Sequence, residues 1–426
     1  MEILFRLGAR WRNPSLFSRF ALLKESEHWS RAQLTDYQTD QCRALLELAQ
    51  RHSPYYRDVF REVGFEPAEL KSLQDLQRLP VMDKESLIRH NADIHTNVRL
   101  GKLFPCETSG TSGQVLTFMR DEVWDSANRA AVMRGYSWYG VHPWDRSVYL
   151  WGFNADPFKK MKVRFLDVLQ NRFRVFSYDE AEIRRLARHT RKAVVLHGYS
   201  SMIYNIAKAL NKDGQMPRPG RLKLVKGTSE KIFDAYQDEA RKAFGMRIVS
   251  EYGAAETGLI AFECPHGSMH IHMEGCHVEV VDGEAVVTNL LSRSFPIIRY
   301  RLADSIELAP DGFECPCGMK HTVIREVLGR VGAVVQGKVK QFPSLAFYYV
   351  FKNLFFQKGL SMSYQVQQHE RGKVVIDIEQ DCAEHLGLVQ AEIRKYFGDD
   401  LDATVRFGRE VDSGQRKRKD FISHLS

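Results

Sequence analysis

The chain has 426 residues, 44% hydrophobic and 11% aromatic, which suits one large domain plus one small one. No span approaches the ~20 uncharged apolar residues of a membrane helix, and the opening MEILFRLGARWRNPSLFSRF lacks the apolar stretch and cleavage site of a secretory leader, so a cytoplasmic protein is expected. The seven cysteines (Cys42, Cys106, Cys264, Cys276, Cys315, Cys317, Cys382) are odd in number and scattered, which excludes a disulfide framework, and the net charge of +8 points to an anionic partner.

Residues 1–25 interleave Phe5, Leu7, Trp11, Leu16, Phe17 and Phe20 with Arg6, Arg10, Arg12 and Arg19. They read as a helix packed on its own domain, with a basic helix lying on a membrane surface as the alternative. Residues 37–63 read as a helix broken near Pro54, and Pro80 with an Asp83 cap introduces another. From about 145 to 300, the short apolar runs 148–153, 192–199, 222–227 and 246–253 alternate with helical stretches 179–191, 200–211 and 230–244. That order predicts an α/β domain with a largely parallel sheet. Residues 277–290 differ, being two alternating runs joined by Asp282-Gly283, a hairpin signal. Past Gly329 the runs 361–368 and 373–379 flank a polar turn, then come a helix over 384–397 and a strand over 403–407. A small α+β unit is expected there, with the boundary near 329–332.

Three motifs carry chemistry. In Thr108-Ser109-Gly110-Thr111-Ser112-Gly113 the glycines let backbone approach a phosphate, and hydroxyls and amides can donate to it. No Gly-Lys-Ser/Thr follows, so this is not a Walker loop. Glu251-Tyr252-Gly253-Ala254-Ala255-Glu256 ends a predicted strand with an aromatic that could cover a base and a carboxylate that could hold Mg²⁺. Arg299-Tyr300-Arg301-Leu302-Ala303-Asp304 offers an acid suited to two ribose hydroxyls, and Gly329-Arg330 follows at the boundary.

The order TSGTSG, YGxxE, YRxxD, GR and a C-terminal basic motif resembles the adenylate-forming superfamily. Residues 51–87 and Phe342-Pro343-Ser344-Leu345 resemble phenylacetate–CoA ligases and their CapK-type capsule-biosynthesis relatives. The resemblance spans nearly the whole chain. It implies an α/β fold: a large N-terminal AMP-binding, acyl-activating domain of mixed sheets and helices (1–328), and a small mobile α+β C-terminal domain (329–426). It also implies two half-reactions, in which a carboxylate and ATP give acyl-AMP and pyrophosphate, and a nucleophile, CoA above all, then displaces AMP. Thr108, Ser109, Gly110, Thr111, Ser112 and Gly113 would hold the triphosphate. Tyr252 and Gly253 would border adenine beside Glu251, as would the 226–230 stretch with Ser229 and Glu230. Glu256 would serve Mg²⁺, and Asp304 would bind ribose with Arg330 nearby. Tyr136, Trp138, Trp151, Gly152, Phe153, His197, Gly198 and Tyr199 lie where the family builds its acyl pocket. Aromatic walls there would suit an aryl or arylalkyl acid, ordinary core being the alternative for each residue.

Two positions depart from the family pattern. The usual Ser-Gly-Lys reads Ser413-Gly414-Gln415, and aligning on Phe421-Ile422-Ser423 brings Lys417 to the lysine position, with Lys419 as the fallback. The acidic residue expected two after Arg330 is Gly332, which could still act as a pivot. A solvated basic tail is the alternative reading of 416–419.

Cys264, His270, Cys315 and Cys317 form a Cys…His…CxC set that satisfies tetrahedral zinc, in an insertion spanning about 264–317. His266 competes as a ligand, and Cys276 and His272 stand further off. Some phenylacetate–CoA ligase-like proteins carry zinc in such a region, so a structural zinc is expected. Two alternatives to an acid–CoA ligase stand: acyl transfer to an amine, hydroxyl or carrier protein, and a nucleotide-binding protein with impaired catalysis. No nucleic-acid-reading motif is present.

Overall fold

The computed structural model describes the chain except residues 109–114, 151–156, 175–184, 187–188, 191, 213–219, 230–231, 233, 331–333, 361, 363, 379, 410–420 and 426. Polar caps start most of the N-terminal helices. Ser30 and Gln33 form a capping box that starts a helix at Arg31–His52, six residues before the apolar pattern begins at 37. Ser53 then caps Pro54–Glu62 with proline in the first turn, which is the expected break. Asp83 caps Lys84–Arg89 and Asp121 caps Glu122–Ser137 through the amides of Ser86 and Trp124. Among the described residues no helix is long and apolar enough to cross a membrane.

The chain divides into two compact units, the larger comprising Met1–Thr108 and Leu116–Gly329. It contains a two-stranded antiparallel sheet of β1 (Leu103–Glu107) and β2 (Thr117–Asp121). Among the described residues its main sheet has eleven strands. In chain order they are β3 (Ser147–Leu150), β4 (Arg172–Arg174), β5 (Val195–Tyr199), β6 (Leu224–Thr228), β7 (Val249–Ala254), β8 (Gly258–Glu263), β9 (Met269–Ile271), β10 (Cys276–Val281), β11 (Glu284–Asn289), β12 (Ile297–Leu308) and β13 (Val323–Arg330). The spatial order is β10-β11-β12-β13-β9-β8-β7-β6-β5-β3-β4.

The half β4-β3-β5-β6-β7 is parallel, as the alternation of runs and helices predicts. Helices Ser200–Lys212 and Asp234–Phe244 make the crossovers. Ile203, Ile206, Ala207 and Leu210 recur at helical spacing and are buried, which anchors the first of these to the sheet. The other half pairs antiparallel from β7 to β9, β9 with β13, and β10 through β12. The β10–β11 turn places Asp282 at φ 54 and Gly283 at φ 77, the left-handed pair that a two-residue hairpin requires. A second core, including Phe60, Phe65, Trp124 and Phe295, gathers the N-terminal helices against β2 and β12.

The smaller unit includes Arg330–Ser426. It contains β14 (Val334–Gln336) paired with β15 (Gln341–Pro343), and a sheet of β16 (Tyr364–Glu370), β17 (Lys373–Ile378), β18 (Asp402–Arg406) and β19 (Phe421–Ser423) in the order β18-β17-β16-β19. Helices Leu345–Lys358 and Leu386–Phe397 cover it, with Phe347, Val350, Val366, Ile376, Ile393, Phe397 and Phe421 in the core. The expected helix over 384–397 and the two-strand turn near 369–372 are both present. Most of the expected helix 179–191 lies outside the described residues.

Candidate active site

Strand irregularities build the site. Between Arg301 and Ser305, four steps along β12 oppose two along β11, from Val286 to Glu284. The bulge holds Ala303 at φ 60, a left-handed conformation that an alanine adopts only where its surroundings impose it. Asp304 follows directly and accepts a hydrogen bond from Tyr252 Oη at 2.9 Å. The acid of the YRxxD motif and the aromatic of the YGxxE motif therefore meet.

The turn between β7 and β8 presents Glu256, which is 7% exposed. Tyr300 Oη donates to its carboxylate at 3.1 Å. Asn289 Nδ2 donates to the Glu256 carbonyl at 3.1 Å, and Arg120 to the Ala255 carbonyl at 2.9 Å. Gly253 is required here, because a Cβ would lie 2.4 Å from the Gly258 carbonyl oxygen. Thr108 is buried and closes the base of the β1–β2 loop, its hydroxyl accepting from the Leu116 amide at 3.1 Å. Ser109, Gly110, Thr111, Ser112 and Gly113 lie outside the described residues, as do Glu230, Gly332, Gln415, Lys417 and Lys419. Ser229 follows β6 at φ 66, and Arg330 is the last residue of β13.

A polar ladder crosses the parallel half of the sheet. Arg174, Tyr149, His197 and Lys226 are register partners across β4, β3, β5 and β6, and partners across parallel strands share a face. Lys226 Nζ meets Glu251 at 2.6 Å, with side chains 5% and 14% exposed. Burial opposes the Lys226 charge, yet Glu251 raises its pKa overall. His197 is held neutral, its pKa well below the ordinary value through burial and then the Lys226, Arg172 and Arg174 charges. Arg172 and Arg174 both sit 4.5 Å from the Tyr149 ring centre, and Arg174 pairs with Asp167 at 2.8 Å. Tyr136 closes the group, with Lys226 over its ring and His197 edge-on. Of this group, Tyr136, His197, Glu251 and Lys226 fall in segments that the sequence motifs or the expected acyl pocket point to, whereas Tyr149, Arg172 and Arg174 carry no such signal. Trp151, Gly152 and Phe153 lie outside the described residues.

A second cluster stands apart. Cys264, His270, Cys315 and Cys317 bring all four ligand atoms within 4.8 Å of one another. Cys264 Sγ lies 3.7 Å from Cys315 Sγ, and Cys317 Sγ lies 3.2 Å from His270 Nε2. Tetrahedral zinc with bonds of about 2.3 Å spaces its sulfurs about 3.8 Å apart. Two tight turns present the thiols, with Gly267 donating to the Cys264 carbonyl and Gly318 to the Cys315 carbonyl. Burial lowers the His270 pKa to about 4, leaving a neutral imidazole as a metal ligand must be. His266 is exposed outside this group. Cys276 faces the carbonyls of Ile260 and His272 instead, and His272 pairs with Glu274. Trp138 packs on this cluster, its ring 6.3 Å from His270.

Behind the cluster is a buried network that motif reading missed. Arg134 pairs with Glu274 at 2.7 Å, and His321 reaches the same carboxylate at 2.8 Å. Burial alone would raise the Glu274 pKa; Arg134 and His321 instead hold it well below the ordinary carboxyl value.

Tyr252 and Glu256 thus lie at the end of β7, the last strand of the parallel half, and pair with Asp304 and Tyr300 of β12. No family model matches the chain. Solved structures of 2-hydroxyisobutyryl-CoA ligase share the fold. The open form with 2-HIB-AMP and CoA has TM-score 0.60 and 18% identity, covering 93% of each chain. The postadenylation state with R3-HIB-AMP has TM-score 0.63 and 18% identity, over 94% of this chain and 91% of that one. Among curated proteins, phenylacetate–coenzyme A ligase of Pseudomonas putida is 24% identical over 421 residues, covering 89% of this chain and 91% of its own. CapK of Staphylococcus aureus is 22% identical over 305 residues, 68% of this chain and 66% of its own length, just under two thirds. The chain thus shares the fold of acyl-CoA ligases of known structure and is similar, at low identity, to phenylacetate–coenzyme A ligase and CapK.

Proposed function

We propose that the protein activates a small carboxylic acid with ATP and passes the acyl group to CoA. In the first step a carboxylate oxygen attacks the α-phosphorus, releasing pyrophosphate and leaving acyl-AMP. In the second the CoA thiolate attacks the acyl carbon and AMP departs. The observation that carries this reading is the meeting of Tyr252 with Asp304 and of Tyr300 with Glu256, which unites two separate motifs. Tyr252 covers adenine while Asp304 takes the ribose hydroxyls, assisted by Arg330. Ser109, Gly110, Thr111, Ser112 and Gly113 follow the buried Thr108 and donate to the triphosphate. Glu256 holds Mg²⁺, which offsets phosphate charge when bound, and Lys417 neutralises the acyl phosphate. The catalytic contribution is positioning and fixed charge. ATP and CoA are cytoplasmic metabolites, so the reaction belongs in that compartment.

The polar ladder bears on the acid. Ligands of open α/β sheets bind outside the carboxyl ends of the strands, and the ladder lies close to those ends. A buried Lys226–Glu251 pair with a neutral His197 is a poor wall for a plain aryl group. It suits an acid bearing hydroxyl or amino substituents. Product analysis with CoA present and omitted tests the acceptor: an acyl-CoA thioester supports the proposal, and CoA-independent turnover to a stable ester or amide contradicts it.

Cys264, His270, Cys315 and Cys317 hold a structural zinc in this proposal. Three sulfurs and one imidazole fill a tetrahedron, which makes the site closed. The domain assignment also belongs here: 1–328 would bind nucleotide and acid, and 329–426 would form the small C-terminal domain that holds Lys417.

A further inference from the structure

Two helices of the larger unit turn apolar residues outward. In Glu2–Arg12, Phe5 and Ala9 belong to the core cluster, while Ile3, Leu4, Leu7 and Trp11 are 74%, 51%, 58% and 77% exposed. A helix packed on its own domain needs only one apolar face. In Pro157–Leu169 the order is reversed outright. The charged Asp167 is buried on Arg174, while Met161, Phe165 and Val168 are 66%, 65% and 70% exposed. Of the nineteen exposed large apolar side chains among the described residues, nine lie on these two helices, which marks the outward faces as a surface built for contact.

Both helices attach to one segment. The Phe5 ring lies 5.8 Å from that of Trp144, with Arg6 over the same indole at 5.5 Å. The Trp144 carbonyl accepts from Asn171, just beyond the second helix, at 3.3 Å. The sequences of the two helices hold Arg6, Arg10 and Arg12, and Lys159, Lys160, Lys162 and Arg164, against only Glu2 and Asp167. Apolar ridges flanked by basic residues complement an anionic interface. A second copy of this face would bring like charges together.

We infer that these two helices form a docking surface for a bilayer containing anionic lipid. The exposed apolar side chains enter the boundary between headgroups and acyl chains, and the net positive charge of the two helices draws the lipid phosphates. The proposal is independent of the adenylation reading. Its test is sedimentation of the full-length protein with phosphatidylcholine vesicles, with and without phosphatidylglycerol. Wild type should sediment with the anionic vesicles and be released by salt. The Leu7→Glu/Phe165→Glu variant should bind at least about tenfold more weakly, with an unchanged circular dichroism spectrum because both side chains are exposed. A Leu7→Ser/Phe165→Ser variant, which adds no charge, should also weaken binding. Absence of binding to anionic vesicles, or equal binding by wild type and both variants, would overturn the proposal. A dimer in solution that the variants dissociate, without vesicle binding, would assign the surface to a second copy instead.

Discussion

Replacing Asp304 with alanine tests the proposed ribose contact. One carboxylate oxygen accepts from Tyr252 at 2.9 Å, and the β12 bulge positions the carboxylate that the proposal gives to ribose. A hydrogen bond to a charged group contributes about 1.5–3 kcal/mol, so losing the ribose contact should weaken Mg·ATP binding about 10- to 150-fold. Tyr252→Phe keeps the ring over adenine and removes only the donor. Asp304 is only partly buried, so water replaces that donor and the expected loss is about two- to fivefold. Titration calorimetry with Mg·ATP measures both variants, with a thermal melt as the control for folding. Asp304→Ala binding within twofold of wild type, at unchanged melting temperature, would refute the placement of ribose at this carboxylate.

Lys226→Met leaves Glu251 buried without its counter-charge and should cost about 3–5 kcal/mol in urea denaturation; pairing it with Glu251→Leu should recover part of that loss. His277 titrates near 4, because burial and then Arg299 disfavour its charged form. Its folded pKa lies below the unfolded value near 6.5, so the unfolded chain binds the proton first as pH falls. Stability from this group is full above about 6.5 and is lost down to about 4; by pH 5 the loss is about 2 kcal/mol. His277→Gln should flatten that part of the profile, and an unchanged slope between pH 7 and pH 5 would contradict the assignment. Purified protein should carry one zinc by elemental analysis, and Cys317→Ser should lose it and melt at lower temperature; full zinc content in the variant would exclude Cys317 as a ligand.

Much of this architecture is legible from local chemistry. Asp282-Gly283 can form a two-residue turn whatever surrounds it, and apolar runs joined by helical stretches pack as a parallel sheet. The Cys264, His270, Cys315 and Cys317 set converges because the CxC turn and the β9–β13 pairing bring distant residues together. Other features depend on register and neighbours. Tyr149 and Arg174 carry no motif and Lys226 reads only as part of the 226–230 stretch, so cross-strand alignment alone makes them a ladder. The β12 bulge that aims Asp304 has no turn residue to announce it, since Ala303 is an alanine in a left-handed position. Trp138 reads as a substrate wall from its place in the chain, yet it packs on the thiol cluster. The outward apolar face of Pro157–Leu169 is equally silent, because helical spacing does not say which side meets the domain.

Acid-dependent exchange of pyrophosphate into ATP tests the central claim most directly. With Mg²⁺ and a panel of hydroxy, amino, aryl, arylalkyl, short-chain and fatty acids, the account predicts exchange that requires the acid and is strongest with hydroxyl- or amino-bearing acids. No exchange with any acid, from protein shown to bind ATP, would contradict it.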